Sequence, residues 1–260
     1  MHPTLQLALR AARSVSEHYE YVLERLDLAR SDKTLPDLLA TCGKRVEQSI
    51  QRQLVRAHPN ASFKGGRVQL EGSGELCWKV DSLVGKANLQ RGYPAFALSI
   101  SIYQRDRLEH VVLLNPATGQ EYLASRGRGA TLNGRRIRVL NGWNAQDAAV
   151  ALPLPAAGLR GQLMPTYLKL LQVVMDISQI YASGCDLLDI CAVAAGQLDA
   201  AILLGADEEQ LAPALLMLKE AGGLSGDLTG APSLGEQGRL LVTNPKAFRS
   251  LVSQLKSQLN

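Results

Sequence analysis

The sequence predicts an α/β protein whose N-terminal half is of the α+β type, and three observations lead to this prediction. Residues 3–57 place apolar residues at helical spacing. Residues 62–139 instead show short runs of strand-forming residues separated by turns. Beyond residue 161, helical and strand patterns alternate. We therefore expect N-terminal helices and an antiparallel sheet in residues 1–145, followed by an α/β half in residues 146–260.

Two N-terminal helices are predicted from apolar stripes in the sequence. The first spans residues 3–29, and a polar break containing Pro36 separates it from the second. The first stripe consists of Leu5, Ala8, Leu9, Ala12, Val15, Tyr19, Val22 and Leu26. The second stripe consists of Leu39, Val46, Ile50 and Leu54. Each stripe marks the buried face of an amphipathic helix.

The sheet is predicted from strand patterns separated by turn residues. A buried strand containing Trp78 runs into a tight turn that holds residues 81–86. The next strand alternates apolar residues with small ones, and its apolar positions are Phe96, Leu98, Ile100 and Ile102. Asn133-Gly134, between two further short strands, is a strong hairpin signal because both residues tolerate positive φ.

The C-terminal half is predicted to alternate helices and strands. Residues 140–161, rich in Gly, Pro and Ala, form the predicted join between the halves. Residues 185–195 are so apolar that their helix must be buried on most faces. The other elements are helices at 164–175 and 213–221 and strands at 177–181, 200–204 and 240–242. Asn244 should cap a last helix with Pro245 at its first position.

Composition excludes several classes of protein. With 260 residues and 46% hydrophobic content, the chain can bury a large core. A net charge of +4 is far from that of a nucleic-acid-coating tail. The four cysteines lack paired metal spacing, so we expect reduced and mostly buried thiols. There is no signal-peptide pattern, and no apolar run reaches membrane-spanning length. We therefore expect a soluble, cytoplasmic protein.

Several motifs resemble those of the inositol monophosphatase family. Residues 78–96, WKVDSLVGKANLQRGYPAF, resemble its first signature, W-x-x-D-P-x-D-G-T-T-N-F followed by G-x-P-x-F-A-x-S. Residues 124–139 resemble its A-x-R-G-x-G-A-x-L-N-G-x-x-I-x-V hairpin, and residues 183–200 resemble its G-S-A-A-L-D-L segment. The opening residues are similar to the bacterial extragenic-suppressor branch. The resemblance implies the layered α-β-α-β-α sandwich of the sugar phosphatases.

The resemblance also implies a pocket whose metal ligands are mostly substituted. Members of the family are Mg-dependent phosphomonoesterases that hold the metal with several carboxylates. The positions of those carboxylates fall at Gly43, Gly66, Val84 and Gln210, and the substrate-contacting glutamate falls at Leu203. The implied remnant of the pocket consists of Asp81, Leu83, Lys86, Arg67, Gly184, Cys185 and Asp189. One remaining carboxylate, Asp81, cannot bind Mg²⁺ usefully by itself.

Several individual residues have an expected role and an alternative role. Asp81 is expected to form an ion pair with Lys86 or Arg67, because an unpaired buried charge is costly, and metal ligation is its alternative role. Cys185, in place of a family serine, is expected to be packed rather than reactive. The arginines at 126, 128, 135, 136 and 138 are expected to be solvated rather than to bind nucleic acid. The four histidines show no nucleophile–base spacing.

The function predicted from these residues is a catalytically degenerate member of the family, with no cofactor, that acts as a dimeric scaffold or regulatory interaction protein. The resemblance implies a homodimer, and its partner would be a catalytically intact paralogue or a protein of the transcription machinery. The first alternative is a Mg-dependent phosphatase of inositol monophosphate or a related sugar phosphate, with Asp81 as a ligand. The second is a small-anion-binding protein that uses Lys86 and Arg67.

Overall fold

A computed structural model describes residues 2–175 and 179–259. Its contacts divide the chain into two compact units. The first unit consists of Met1–Arg126 with Thr131–Gly134, and the second of Gly127–Ala130 with Arg135–Asn260. This division falls in the Asn133-Gly134 hairpin. A boundary between residues 145 and 146 stays a prediction.

The N-terminal helical segment is not one helix, as predicted, but three. They are α1 (Pro3–Arg13), α2 (Ser16–Glu24) and α3 (Leu26–Ser31). The first break follows from Ser14, whose hydroxyl donates to the Ala11 carbonyl at 2.8 Å and competes with the helical bonds of the backbone. The residues of the predicted stripe are nevertheless all buried, from Leu5 to Leu26. The three helices therefore keep their apolar faces turned towards the core.

The second predicted helix is confirmed as α4 (Leu35–Ala57). Pro36 lies in its first turn, where a missing N–H costs nothing. The four residues of its predicted stripe are fully buried. Glu47 is also buried on this helix, with a relative exposure of 1%. A buried carboxylate within an apolar stripe requires bonding partners, and these define the candidate site described below.

The first unit contains a sheet with the strand order β2-β1-β3-β4-β5-β6. The strands are β1 (Ser62–Gly65), β2 (Gln69–Leu70), β3 (Leu76–Val84), β4 (Ala97–Gln104), β5 (Arg107–Asn115) and β6 (Gln120–Ser125). All neighbours are antiparallel except β1 and β3. The short helix α5 (Lys86–Leu89) follows β3. The predicted alternation puts Ile100 and Ile102 in the core with the helices, but Ser99 and Ser101 are buried as well.

The Asn133-Gly134 hairpin is confirmed between β7 (Gly129–Leu132) and β8 (Arg135–Ile137). Asn133 has φ of 50° and Gly134 has φ of 77°. These positive values are what a two-residue turn between right-twisted strands requires, and Asn-Gly adopts them at low cost. This local signal therefore predicted the turn correctly without any tertiary information.

The second unit contains a sheet with the order β10-β9-β11-β13-β12. Its strands are β9 (Ala149–Ala151), β10 (Gln179–Tyr181), β11 (Ala200–Leu203), β12 (Leu224–Gly226) and β13 (Leu240–Thr243). Its helices are α6 (Arg160–Met175), α7 (Asp186–Ala194), α8 (Glu208–Glu220) and α9 (Pro245–Leu259). The predicted strand at 177–181 is seen from Gln179 onwards, and residues 177–178 lie outside the described residues. The predicted cap is confirmed, since Asn244 Oδ1 accepts from two N–H groups of α9.

Strand β9 lies in the segment that was predicted to be only a join. It consists of three small or β-branched residues and pairs in parallel with both β10 and β11. A run this short has no periodicity of its own, so its strand conformation depends on those neighbours. The predicted join is therefore interrupted by a buried strand of the second sheet.

Candidate functional site

Near the end of β3, the side chains of Asp81 and Ser82 point in opposite directions. The register between β3 and β4 shifts between Asp81 and Val84, and Gly85 closes the turn with φ of 72°. As a result the Asp81 side chain faces solvent, where its Oδ1 accepts from the Leu83 N–H at 2.9 Å. Ser82 faces inward with 1% relative exposure. The end of β3 thus points the Ser82 hydroxyl, and not the Asp81 carboxylate, into the first unit.

The centre of the candidate site is the buried carboxylate of Glu47. Its Oε2 accepts from the backbone N–H groups of Arg67 at 2.7 Å and Val68 at 2.9 Å. Its Oε1 accepts from the Ser82 hydroxyl at 2.8 Å. The Arg67 guanidinium lies 3.8 Å from Oε1. Both oxygens are therefore engaged, and the charge of Glu47 is opposed by that of Arg67. We call Glu47, Arg67 and Ser82 the Glu47 network.

Gly43 allows the Arg67 guanidinium to take its position in this network. A Cβ at residue 43 would lie 2.8 Å from Arg67 Nη1 and 3.1 Å from Ser82 Oγ, so the guanidinium would have to move aside to admit it. The guanidinium therefore fills the space into which a side chain at residue 43 would project. Gly66 is exposed, and a Cβ there would have ordinary contact with Glu47 Oε1 at 3.7 Å.

The predicted ion pair of Asp81 is wrong. Across residues 2–175 and 179–259, no ion pair joins Asp81 to Lys86 or to Arg67, and Lys86 is exposed on α5. Arg67 instead faces Glu47, because the carboxylate of Glu47 is buried whereas that of Asp81 is hydrated. An exposed aspartate does not need a cation to offset a desolvation cost.

Tyr19 closes the site from the helical side. Its hydroxyl donates to the Ser82 carbonyl at 2.7 Å, and the side chain is fully buried. Burial raises the pKa of Tyr19 well above its usual value, with smaller contributions from nearby ionisable groups that include Glu47. Tyr19 therefore stays a neutral donor that holds the end of β3 against α2.

The remaining pocket residues lie in the second unit, at the start of α7. Gly184 has φ of 75°, and Cys185 follows it as the N-cap residue with 4% exposure. Burial raises the pKa of Cys185 to about 12, which disfavours the nucleophilic thiolate and supports packing as its role. Leu203 is buried in β11, and Gln210 lies exposed in the first turn of α8.

Asp189 is the unusual residue of this segment, with 3% relative exposure on α7. Burial raises the pKa of Asp189 to about 6, while hydrogen bonds from Ser183 act in the opposite direction. Its Oδ2 is buried without a hydrogen-bond partner in the described part of the chain. Asp186, one turn earlier, also has a raised pKa because of burial. Helix α7 thus begins with two carboxyl groups whose pKa values are raised by burial.

The donor set of the first unit does not fit Mg²⁺. This ion requires near-octahedral oxygen coordination and strong anionic help to lose water. In residues 2–175 and 179–259, no group of three or more His, Cys, Asp or Glu side chains is arranged to hold a metal. Glu47 already accepts three hydrogen bonds, and a cation beside it would be repelled by Arg67. Asp81 is left as an isolated candidate ligand.

The structure thus brings together Gly43, Arg67 and the turn around Asp81, and it adds Glu47, which the sequence had not suggested. The available signal was an acidic residue inside the apolar stripe of α4, next to Val46 and before Ile50. A carboxylate in such a position is rarely buried unless it is bonded. Its partners come from β1–β2 and β3, which the helical pattern alone does not reveal.

Comparison with known proteins places these features in a family. The sequence pattern of the inositol monophosphatase family matches residues 1–259. "Nus factor SuhB" of Pseudomonas aeruginosa strain PAO1 is 36% identical over 265 residues, covering 100% of this chain and 98% of the relative. "Inositol-1-monophosphatase" of Mesorhizobium japonicum is 30% identical, covering 98% and 96%.

Solved structures agree with this comparison. The extragenic suppressor protein suhB from Bartonella henselae has a TM-score of 0.80 at 25% identity, covering 98% of this chain and 100% of that one. Inositol monophosphatase from Anabaena has a TM-score of 0.79 at 22% identity, which shows the fold alone. No described helix has the length and apolar content needed to cross a bilayer. The predicted α/β fold is confirmed, and the chain belongs to the inositol monophosphatase family.

Proposed function

We propose that this protein keeps the fold of its family without two-metal phosphatase chemistry and acts as a dimeric scaffold or regulatory interaction protein. The observation that carries the proposal is the position of Arg67. Its guanidinium fills the space beside Gly43 and faces the buried Glu47. In this arrangement a fixed protein cation stands among the residues from which a metal site would have to be built.

The chemistry of the reaction explains why this arrangement opposes catalysis. A metal-assisted phosphatase needs a metal to activate water and to neutralise charge on the leaving oxygen. Arg67 supplies positive charge but cannot lower the pKa of a coordinated water. Asp81 is exposed and accepts a hydrogen bond from Leu83, and within the described residues it belongs to no group of three or more His, Cys, Asp or Glu side chains that could hold a metal. The residues therefore support binding and assembly rather than phosphate hydrolysis.

The names of the relatives indicate which class of partner to propose. Proteins of Pseudomonas aeruginosa and Vibrio cholerae that cover this chain completely carry the name Nus factor SuhB. This naming supports a partner in the transcription machinery, and a catalytically intact paralogue is the other candidate. The role as a small-anion sensor has less support, because the Arg67 charge is already opposed by Glu47.

The proposal predicts that Mg²⁺ finds no specific site. Calorimetric titration of the full chain should show no stoichiometric binding tighter than about 1 mM, the weak end for oxygen-ligand sites. Turnover of inositol 1-phosphate with Mg²⁺ should stay at background, and Asp81→Asn should change neither result. Mg-dependent turnover that Asp81→Asn abolishes would instead establish the phosphatase alternative and remove the proposal.

Self-association is the second expectation, and the structure offers a surface for it. The homodimer was expected from the family resemblance, and the apolar strands β4 and the second half of β5 are already buried. One edge strand of the second sheet is β10, where Ile180 is 41% and Tyr181 is 45% exposed. An open edge with apolar side chains is a surface that proteins commonly cover by pairing.

Sedimentation at micromolar concentration should therefore show a species of twice the 28.1 kDa chain mass. Ile180→Lys should shift the equilibrium to monomer, because a charge at the β10 edge opposes pairing. Tyr93→Lys is the matched control, since Tyr93 is equally exposed at 51% but lies in the first unit. A monomeric native chain, or a dimer that Ile180→Lys leaves intact, would contradict this assignment.

A further inference from the structure

A cleft of about 330 Å³ lies in the first unit where α2, α3 and α4 meet. We call it the helical cleft and define it by Tyr21, Arg25, Leu28, Asp37, Leu38 and Arg45. Its volume falls in the lower range of pockets that hold small organic ligands. None of the residues that suggested a function from the sequence lines it.

The helical cleft is separate from the Glu47 network because the two use different faces of α4. Residues 38, 41 and 45 line the cleft, and they follow one another at helical spacing. Gly43 and Glu47 also share one face, about half a turn away from Arg45 by the 3.6-residue period. That second face is buried against Arg67 and Ser82. A ligand in the cleft would therefore leave the Glu47 network untouched.

The cleft is preformed by a packed and hydrogen-bonded base. Val22, Leu26 and Ala29, on the helices that form it, are buried in the core. The turn between α3 and α4 is held by the Thr34 N–H, which donates to the Ala29 carbonyl at 2.9 Å, and by the Leu38 N–H, which donates to the Thr34 carbonyl at 3.0 Å. A site that is already ordered loses little conformational entropy on binding.

The charges of the cleft favour an anion. Within the described residues, neither Arg25 nor Arg45 lies within ion-pair distance of a carboxylate. Asp37 is the one acidic residue among the cleft residues, against these two arginines. Guanidinium groups without a carboxylate partner are suited to bidentate recognition of a ligand carboxylate. The lining residues of the cleft therefore carry a net positive charge, with two arginines against one aspartate.

The walls of the cleft favour a ligand with a flat, apolar ring system next to its anionic group. The Arg25 guanidinium carbon lies 4.3 Å from the centre of the Tyr21 ring, so the two planar groups form an extended stacking surface. Leu28 is 61% exposed and Tyr21 42%, which is a high exposure for large apolar side chains in neighbouring positions. A flat apolar ligand would remove part of this surface from water.

We propose that the helical cleft is a binding site for a small aromatic carboxylate. The ring system would lie between Leu28 and the Tyr21–Arg25 stack, and the carboxylate would bind Arg45. The inference is independent of the proposed function, because it uses no residue of the Glu47 network and no metal. Its test therefore fails or succeeds separately from the measurements of Mg²⁺ binding and phosphatase turnover.

The test uses 1-naphthylacetate as the probe and the full chain as the protein. Titration followed by calorimetry or NMR should give saturable binding with Kd of about 1 mM or tighter, within the range expected for a ligand of this size. The neutral 1-naphthylacetamide and simple acetate should each bind at least fivefold more weakly. These two compounds separate the contribution of the charge from that of the ring.

Variants locate the site. Arg45→Gln should weaken the binding of 1-naphthylacetate at least fivefold and leave that of the amide unchanged. Arg52→Gln is the matched control, because Arg52 is exposed on the same helix and, among the described residues, its side chain bonds to Gln48 and Ser49 of that helix. It should bind the probe as the native chain does. Equal binding of acid and amide, equal loss in both variants, or no saturable binding would overturn the proposal.

Discussion

Replacing Glu47 with alanine is expected to lower the free energy of unfolding by about 1–3 kcal/mol, the range for leaving buried hydrogen-bond donors without their acceptor. The backbone N–H groups of Arg67 and Val68 would lose their acceptor, and the Ser82 hydroxyl would lose its own. The Arg67 guanidinium would then have no opposing charge. Urea unfolding followed by circular dichroism measures the change.

Two further variants make this measurement specific. Glu24→Ala is the control, because Glu24 is an exposed carboxylate on α2, and its change should stay within about 0.5 kcal/mol. The double change of Glu47→Ala with Arg67→Ala should cost less than the sum of the single changes, because the unpaired guanidinium is then removed as well. A loss below about 1 kcal/mol for Glu47→Ala would contradict the structural role assigned to this carboxylate.

Asp189→Asn is expected to stabilise the protein at neutral pH and to lose this effect in acid. Burial raises the pKa of Asp189 to about 6, above its usual value of 3.8. Between these two values the unfolded chain releases the proton while the folded chain keeps it, so Asp189 makes stability fall as pH rises. Above about pH 6 the accumulated cost is about 3 kcal/mol, since each pKa unit corresponds to 1.36 kcal/mol.

The measurement is the difference in free energy of unfolding between Asp189→Asn and the native chain, from pH 4 to pH 8. The difference should grow in favour of the variant up to about pH 6 and then stay constant. Comparing the two proteins at each pH cancels the titration of the groups they share. Glu208→Gln, an exposed change at the start of α8, should show no such trend. If the difference in free energy of unfolding did not depend on pH, the pKa of Asp189 would not be raised in the folded chain.

The face of each helix could be predicted from the sequence, but the breaks between helices could not. Apolar spacing alone identifies which side of residues 3–29 is buried. The break after α1 depends on the bond from Ser14 to the Ala11 carbonyl, and serine also occurs inside continuous helices. Strand β9 was missed for a related reason, because three residues become a strand only when β10 and β11 are beside them.

The candidate site shows the same limit at the level of side chains. Motif comparison identified Gly43, Arg67 and Asp81 as positions of interest, because it needs only their order along the chain. It did not identify which cation faces which carboxylate. Glu47 and Ser82 are 35 residues apart in sequence, and the burial that makes their bond matter exists only in the folded chain. Which carboxylate Arg67 faces depends on how far each carboxylate is removed from water, and this burial cannot be read from the sequence alone.

The contact between Gly43 and Arg67 also bears on how such a chain can change over generations. Because a Cβ at residue 43 would lie 2.8 Å from Arg67 Nη1, any side chain introduced there meets the guanidinium. The guanidinium is the flexible end of a partly exposed side chain, so it would move aside and its contact with Glu47 would weaken. The space beside Glu47 therefore holds either the guanidinium or a side chain at position 43. Substitutions at one of these two positions should accordingly be accompanied by substitutions at the other.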